Sequence, residues 1–272
     1  MAVTTDNVKG TLISAMVQSY LSENSILIPS IMDRSGEITT GLKQLDIGRA
    51  GSIAAEDFNG TSWTDQSLTW EIDTLEINKR AGSYVTIKIK DDVQSAVNQE
   101  PQLLNRMIAS LVGKLEEEVY AEIASVNAAN KFQFKAGATI SYQDITHARK
   151  ILTKQYVPLQ DRVLAINPEQ EEQLCDMESF YHADKYGSRD VLLNGEIGRI
   201  AGFRVLVSNS VAENNAVFYH NSHGVFARQL EVEYESDRIL KSDVIEHKVA
   251  TLYGLKVLDS GKRGVLINEA GV

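Results

Sequence analysis

The residues able to do chemistry are few and poorly grouped. His220 and His223 form a short H-N-S-H and, with His182, invite a metal reading, because neutral imidazoles are common zinc ligands. Their spacing fits no helical zinc motif and no cysteine joins them, so they read as ordinary loop histidines. Gly195, Gly198 and Gly202, in L-N-G-E-I-G-R-I-A-G-F, have the density of a phosphate-cradling loop. The segment that follows, Phe203 to Val207, reads as a strand and offers no helix N-terminus to hold an anion. Gly195 with Gly198 and Gly261 with Gly264 both fit the G-x-x-G of an RNA-binding loop, but Glu196 stands where phosphates would lie and the second pair reads as a hairpin turn. There is no G-x-S-x-G elbow. Cys175 lies in an apolar helical stretch and is expected to be buried as a small hydrophobe. Asp91 and Asp92 could bind a cation but equally make a strand-end turn. Glu116, Glu117 and Glu118 read as the solvated face of a helix, since consecutive helical residues point in different directions. No catalytic, cofactor-binding or metal-binding residue is therefore assigned, no cofactor is expected, and the chain does not read as an enzyme.

Composition narrows the classes further. The chain has 272 residues, 43% hydrophobic and 24% charged, which suits a folded globular protein of one large domain or two intertwined ones. Acidic residues outnumber basic ones by 37 to 27, a formal net charge of −10, which argues against a surface built to neutralise phosphates. A single cysteine excludes an intrachain disulfide framework and fits a reducing compartment. No stretch approaches the ~18 apolar residues of a membrane span. Thr4, Thr5 and Asp6 replace the basic start of a signal peptide, so a soluble protein with no membrane partner is expected.

The elements ask for partners. Val8, Leu12, Met16 and Tyr20 predict an amphipathic helix over 5–22, and Ser25 to Pro29 reads as extended. From Gly36 to about Arg80 glycines punctuate short alternating runs, the clearest being Leu68, Trp70 and Ile72. A two-stranded excursion of this length, with one apolar face, needs another surface to lie on, and a neighbouring subunit is the expected one. Val85, Ile87 and Ile89 predict a half-buried strand. Pro101, as first helical residue, opens a helix through Leu104, Ile108, Leu111, Leu115, Val119, Ile123 and Val126. The middle third alternates: Ser141 with Asp144 predicts a capping box, Val163 to Ile166 a buried strand, and Asn167-Pro168 a helix through Cys175. The last fifty residues read mostly as strand.

This order of elements resembles the tailed-phage major capsid protein of the Hong Kong 97-like fold. The most specific local match is Leu193 to Val211, L-N-G-E-I-G-R-I-A-G-F-R-V-L-V-S-N-S-V, which resembles the G-x-I-x-G-F-x-V-x-x-S strand entry of these proteins; Leu252 to Val257, L-Y-G-L-K-V, resembles their late P-domain strand. The resemblance implies an α+β fold with an N-arm at 1–35, an E-loop at 36–79, a P-domain at 80–130 and 225–272 with its spine helix at about 100–126, and an A-domain at 131–224.

It also implies a function: self-assembly, through hexamers and pentamers, into the icosahedral head shell of a tailed bacteriophage. The shell would enclose double-stranded DNA without sequence-specific binding. Expected partners are other copies of the chain, a separate scaffolding protein, a portal and a decoration protein; the expected location is the virion capsid, made and assembled in the host bacterial cytoplasm. Leu42, Lys43, Arg49, Trp63, Leu68, Trp70 and Ile72 are the expected E-loop contacts between subunits, and Tyr186, Arg189 and Asn194 an A-domain loop near the capsomer centre. Nothing around Lys43 and Asn268 specifies a covalent crosslink, so assembly is expected to be non-covalent. The alternatives are an encapsulin-like nanocompartment shell and a small α/β enzyme using His182, His220 or Asp91.

Overall fold

The longest periodic segment forms the longest helix. Gln99–Ile123 (α1) has 25 residues, about 37 Å at 1.5 Å per residue, in a computed structural model that describes residues 25–38, 41–51, 55, 67–89, 99–135, 139–176 and 198–269. Pro101 is its third residue rather than its first. Met107, Ile108, Leu111, Leu115, Val119 and Ile123 are all buried, at the three-and-four spacing of one helix face. That face packs on a sheet of Met32–Asp33 (β1), Lys79–Lys88 (β4), Gly224–Ile239 (β10) and Val244–Val257 (β11), ordered β1-β10-β11-β4. Ala81, Phe226, Tyr253 and Leu255 complete this first core. β1 runs parallel to β10, and the other two pairings are antiparallel.

A second, six-stranded sheet has its own core. It contains Lys131–Gln133 (β5), Arg162–Ile166 (β6), Arg199–Ile200 (β7), Phe203–Val207 (β8), Asn215–His220 (β9) and Gly264–Asn268 (β12), ordered β5-β12-β9-β6-β8-β7. Ile145, Ala148 and Leu152 of Tyr142–Lys154 (α2), and Leu174 of Pro168–Cys175 (α3), pack there with Leu164, Ile166, Phe203 and Phe218. Both helices open on capping boxes, Ser141 with Asp144 and Asn167 with Gln170. Residues 264–268, grouped by sequence with 225–272, pair here instead, because Val265 and Ile267 face the second core. The predicted helix at 5–22, Asp91, Asp92, His182 and Gly195 lie outside the described residues. No described helix is long and apolar enough to cross a membrane.

Three expectations need correcting. Residues 25–29 are not extended: Ile28–Ser30 is a 3₁₀ turn with Pro29 in its first positions. Cys175 is exposed, because it ends α3 and Leu174 takes the buried position; burial of its surroundings and the charges of Glu171 and Asp176 hold its thiol above the usual range, the reverse of an activated nucleophile. The third correction is Glu116, which is buried rather than solvated. Its Oε1 accepts the backbone N–H groups of Ile26 at 2.9 Å, Leu27 at 3.0 Å and Ile28 at 3.4 Å. The start of a tight turn leaves amides without partners, and one carboxylate satisfies three of them. Burial pushes the Glu116 carboxyl up; those amides and the Ser208 hydroxyl pull it back. The Ser30 hydroxyl bonds the Leu27 carbonyl at 2.6 Å and also meets the Tyr219 hydroxyl, so the turn is tied to both α1 and β9.

The C-terminal end of α1 is tied down by His223. Its Nε2–H donates to the Ile123 carbonyl at 3.0 Å, and the ring is buried against Gly264, where an added Cβ would come within 2.6 Å of it. Burial, with the Arg263 charge adding to it, pushes the imidazole down to about 4 from an ordinary 6.5.

Two predictions follow from these anchors. Replacing Glu116 by Ala strands buried amides and lowers unfolding free energy by about 3 kcal/mol, measurable in urea at neutral pH. For His223, the unfolded chain gains a proton as pH falls through 6.5 while the folded chain does not until about 4, so its contribution to stability is full above that window and declines by about 3 kcal/mol across it. The stability gap between the unaltered protein and His223→Gln therefore narrows between pH 7.5 and pH 4.5 in urea titrations.

Candidate subunit-contact surface

Gln44–Ala50 (β2) and Trp70–Glu76 (β3) form an isolated antiparallel pair, with Leu45 opposite Leu75, Ile47 opposite Asp73, Arg49 opposite Glu71, Gly48 opposite Ile72 and Ala50 opposite Trp70. Side-chain alternation sorts these residues onto two faces. On the inner face Leu75 is fully buried, and Leu45 and Ile47 pack with it against Val225, Ala227 and Leu258. On the outer face Trp70 is 64% and Ile72 63% exposed, with Leu68 just ahead of β3 at 44%. The hairpin thus has two apolar faces, one resting on its own chain and one open, where the sequence suggested a single one.

Its root is fixed by backbone contacts. Ile77 N–H donates to the Lys43 carbonyl at 3.0 Å, and Gln229 Nε2 donates to the Leu42 carbonyl at 2.7 Å. Gly254 lets β11 pass close beneath: a Cβ there would stand 2.4 Å from the Glu76 carbonyl oxygen, closer than atoms can approach, so any side chain would lift the hairpin.

Polar groups on the inner face set its direction. Arg49 bonds Glu71 across the strands and reaches Asp259 at 3.0 Å and Asp73 at 3.8 Å. The Asp73 carboxylate accepts the Asp259 N–H at 3.1 Å. Asp259, Ser260 and Gly261 are consecutive left-handed residues, at φ of 55°, 48° and 72°, a tight turn that also brings Lys262 and Arg263 within 4 Å of the Asp259 carboxylate. Arg49 is therefore engaged within its own chain.

Of the expected contact residues, the structure places Leu42 and Lys43 at the hairpin root, Arg49 on the anchored face, and Leu68, Trp70 and Ile72 on or beside the open one. Trp63, Tyr186, Arg189 and Asn194 lie outside the described residues. Among the described residues no group of three or more His, Cys, Asp or Glu side chains could hold a metal; His220 Nδ1 accepts the Ser222 N–H at 3.1 Å, and His223 serves α1. Sequence reasoning missed Asp73 and Asp259, whose partners lie far away along the chain and leave no local signal. Glu116 did carry one: it stands between Val112 and Val119 on the apolar stripe of α1.

Because the Arg49 cluster is partly solvated, Arg49→Ala is expected to cost under about 1 kcal/mol of global stability. It should nonetheless raise amide hydrogen exchange selectively across 45–49 and 71–75, as a hairpin freed from its brace would.

Comparison with known proteins adds independent findings. Residues 104–259 match the family model for phage capsid protein. In structure the chain is similar to one from Mycobacterium phage Che8, with a TM-score of 0.76 and 20% identity over 92% of this chain and 93% of that one. It is similar to the capsid of cyanophage P-SCSP1u, at 0.72 and 16% identity over 89% and 87%. The virus-like particle from Pyrococcus furiosus matches at 0.65 and 11% identity over 96% and 99%. No curated protein matches the sequence.

Proposed function

Because the chain belongs to the phage capsid protein family, as a major capsid protein of a tailed-phage head shell, we propose that the open face of its β2–β3 hairpin docks on an adjacent copy and links subunits into that shell. The fold is the α+β, Hong Kong 97-like capsid fold, and family and fold are those of a structural protein rather than an enzyme. One observation carries the docking proposal: Trp70 and Ile72 stay more than 60% exposed on a hairpin whose other face is already braced. Large apolar side chains grouped on one exposed face mark an interaction surface.

In this reading 1–35 is the N-arm, 36–79 the E-loop, 80–130 and 225–272 the P-domain built on α1, and 131–224 the A-domain, with β12 of the 225–272 segment pairing into the six-stranded sheet. Leu42, Lys43, Trp63, Leu68, Trp70 and Ile72 meet the neighbouring subunit, Arg49 acts by orienting them, and Tyr186, Arg189 and Asn194 lie near the capsomer centre. Hexamers and pentamers close an icosahedral container by non-covalent contacts, each modest and multiplied over the lattice. A net charge of −10 suits a container that holds double-stranded DNA without trapping it. Scaffolding, portal and decoration proteins are separate partners, and assembly takes place in the host bacterial cytoplasm. Likeness to a virus-like particle supports a second reading, a compartment for a protein cargo; purified shells distinguish the two by whether they hold DNA or an enzyme.

The combined Leu68→Asp and Trp70→Asp variant should give a folded, soluble subunit that forms no particles by size-exclusion chromatography and negative-stain electron microscopy. Particles of normal size from that variant would overturn the docking assignment.

A further inference from the structure

Away from the hairpin, a cleft of about 590 Å³ opens between the Pro29–Ser30 turn and the β7 end of the six-stranded sheet, lined among others by Leu159, Asp161, Arg162, Arg199 and Arg204. Its lining therefore holds three arginines and one aspartate. Arg162 is already committed: it is buried, with Nε on the Pro158 carbonyl and Nη2 on the Val157 carbonyl, each at 2.7 Å. The other two are not. β7 and β8 form a hairpin through Ala201 and Gly202, both at positive φ, the two-residue turn that keeps strands tightly paired. That register sets Arg199 directly opposite Arg204, with both side chains exposed.

Like charges directly opposite on paired strands are destabilising. Among the described residues neither guanidinium has an ion-pair or hydrogen-bond partner that would relieve the repulsion. The rim of the cleft is also unusual. Leu159, which lines it, is 58% exposed, a large apolar side chain left in solvent beside the arginines. Arginine is among the residues enriched at the centres of interfaces.

We propose that this cleft is a second docking site between subunits, in which Arg199 and Arg204 receive carboxylate side chains of another copy of the chain while Leu159 covers the contact. Charge complementarity identifies the occupant. With 37 acidic and 27 basic residues, copies of this chain repel one another on average, and a concave site with two arginines that have no partner among the described residues is where an acidic segment of a neighbour offsets that repulsion.

The inference rests on the shell reading, and its test separates the two. The unaltered chain, Arg199→Glu with Arg204→Glu, and Arg199→Lys with Arg204→Lys are each co-expressed with the neighbouring gene products, and particles are counted by sedimentation and electron microscopy. The expected result is at least a tenfold loss of closed shells for the glutamate pair, with its far-UV circular dichroism and melting unchanged, and retention of shells by the lysine pair. Shells at the unaltered yield from the glutamate pair overturn this proposal alone. Shells from that pair at normal yield but emptied of nucleic acid overturn it in favour of a DNA contact. Absence of shells from the unaltered chain overturns the shell reading and this proposal together.

Discussion

The polar side chains around α1 are the constraint on which the rest of the structure depends. A helix buried along one side by a sheet can be held in place by apolar contact alone, but such contact does not fix where it stops or what lies across its ends. Here Glu116 receives the amides of the turn at 26–28, Glu122 Oε1 receives the Val257 N–H at 3.0 Å, and His223 bonds the Ile123 carbonyl. Each link joins α1 to a different part of the chain. Together they fix the N-terminal turn, the end of the long β10–β11 hairpin and the junction between the two sheets relative to one rod. Glu116 and His223 are buried, and leaving such groups without these bonds is costly, which makes an altered arrangement of the same elements expensive.

From that frame the exposed hairpin acquires its properties. Its inner face rests on Val225, Ala227 and Leu258, which the frame positions, and its direction is set by Arg49 and Asp73 against the Asp259 turn. The outer face is left with Trp70 and Ile72 in solvent. Two paired strands alone are marginal in water, so an anchored inner face is what allows the outer one to be held open at little conformational cost. A lattice contact made by such an arm does not require the arm to be ordered at the moment of binding.

Periodicity made much of the fold readable before any coordinates. The stripe from Leu104 to Val126 specified α1, Ser141 with Asp144 and Asn167-Pro168 specified two helix starts, and the alternation at Leu68, Trp70 and Ile72 picked out side chains that share one face. What could not be read was pairing at a distance. Nothing near residue 264 indicates that β12 leaves the β10–β11 sheet for β9 and β5, because Val265 to Ile267 is apolar enough for either sheet. Arg49 looks like any strand arginine until Asp259 is brought to it. Glu116 hides in a run of three glutamates, although its place on the apolar stripe distinguishes it from the exposed Glu117.

The sheet pairings impose an order on synthesis. Among the described strands, β1, β4 and β5 emerge early but pair only with β10, β11 and β12 respectively. At translation rates of about 5–20 residues per second, β4 waits on the order of ten to thirty seconds for its partner. Until β11 is made, α1 lacks the complete sheet that covers its apolar side, and Leu258, which supports the hairpin with Val225 and Ala227, does not yet exist. A truncated or nascent chain therefore cannot present the hairpin in its working direction. The hairpin's support is complete only after Leu258 has been made, so the topology itself delays its ordering until late in synthesis.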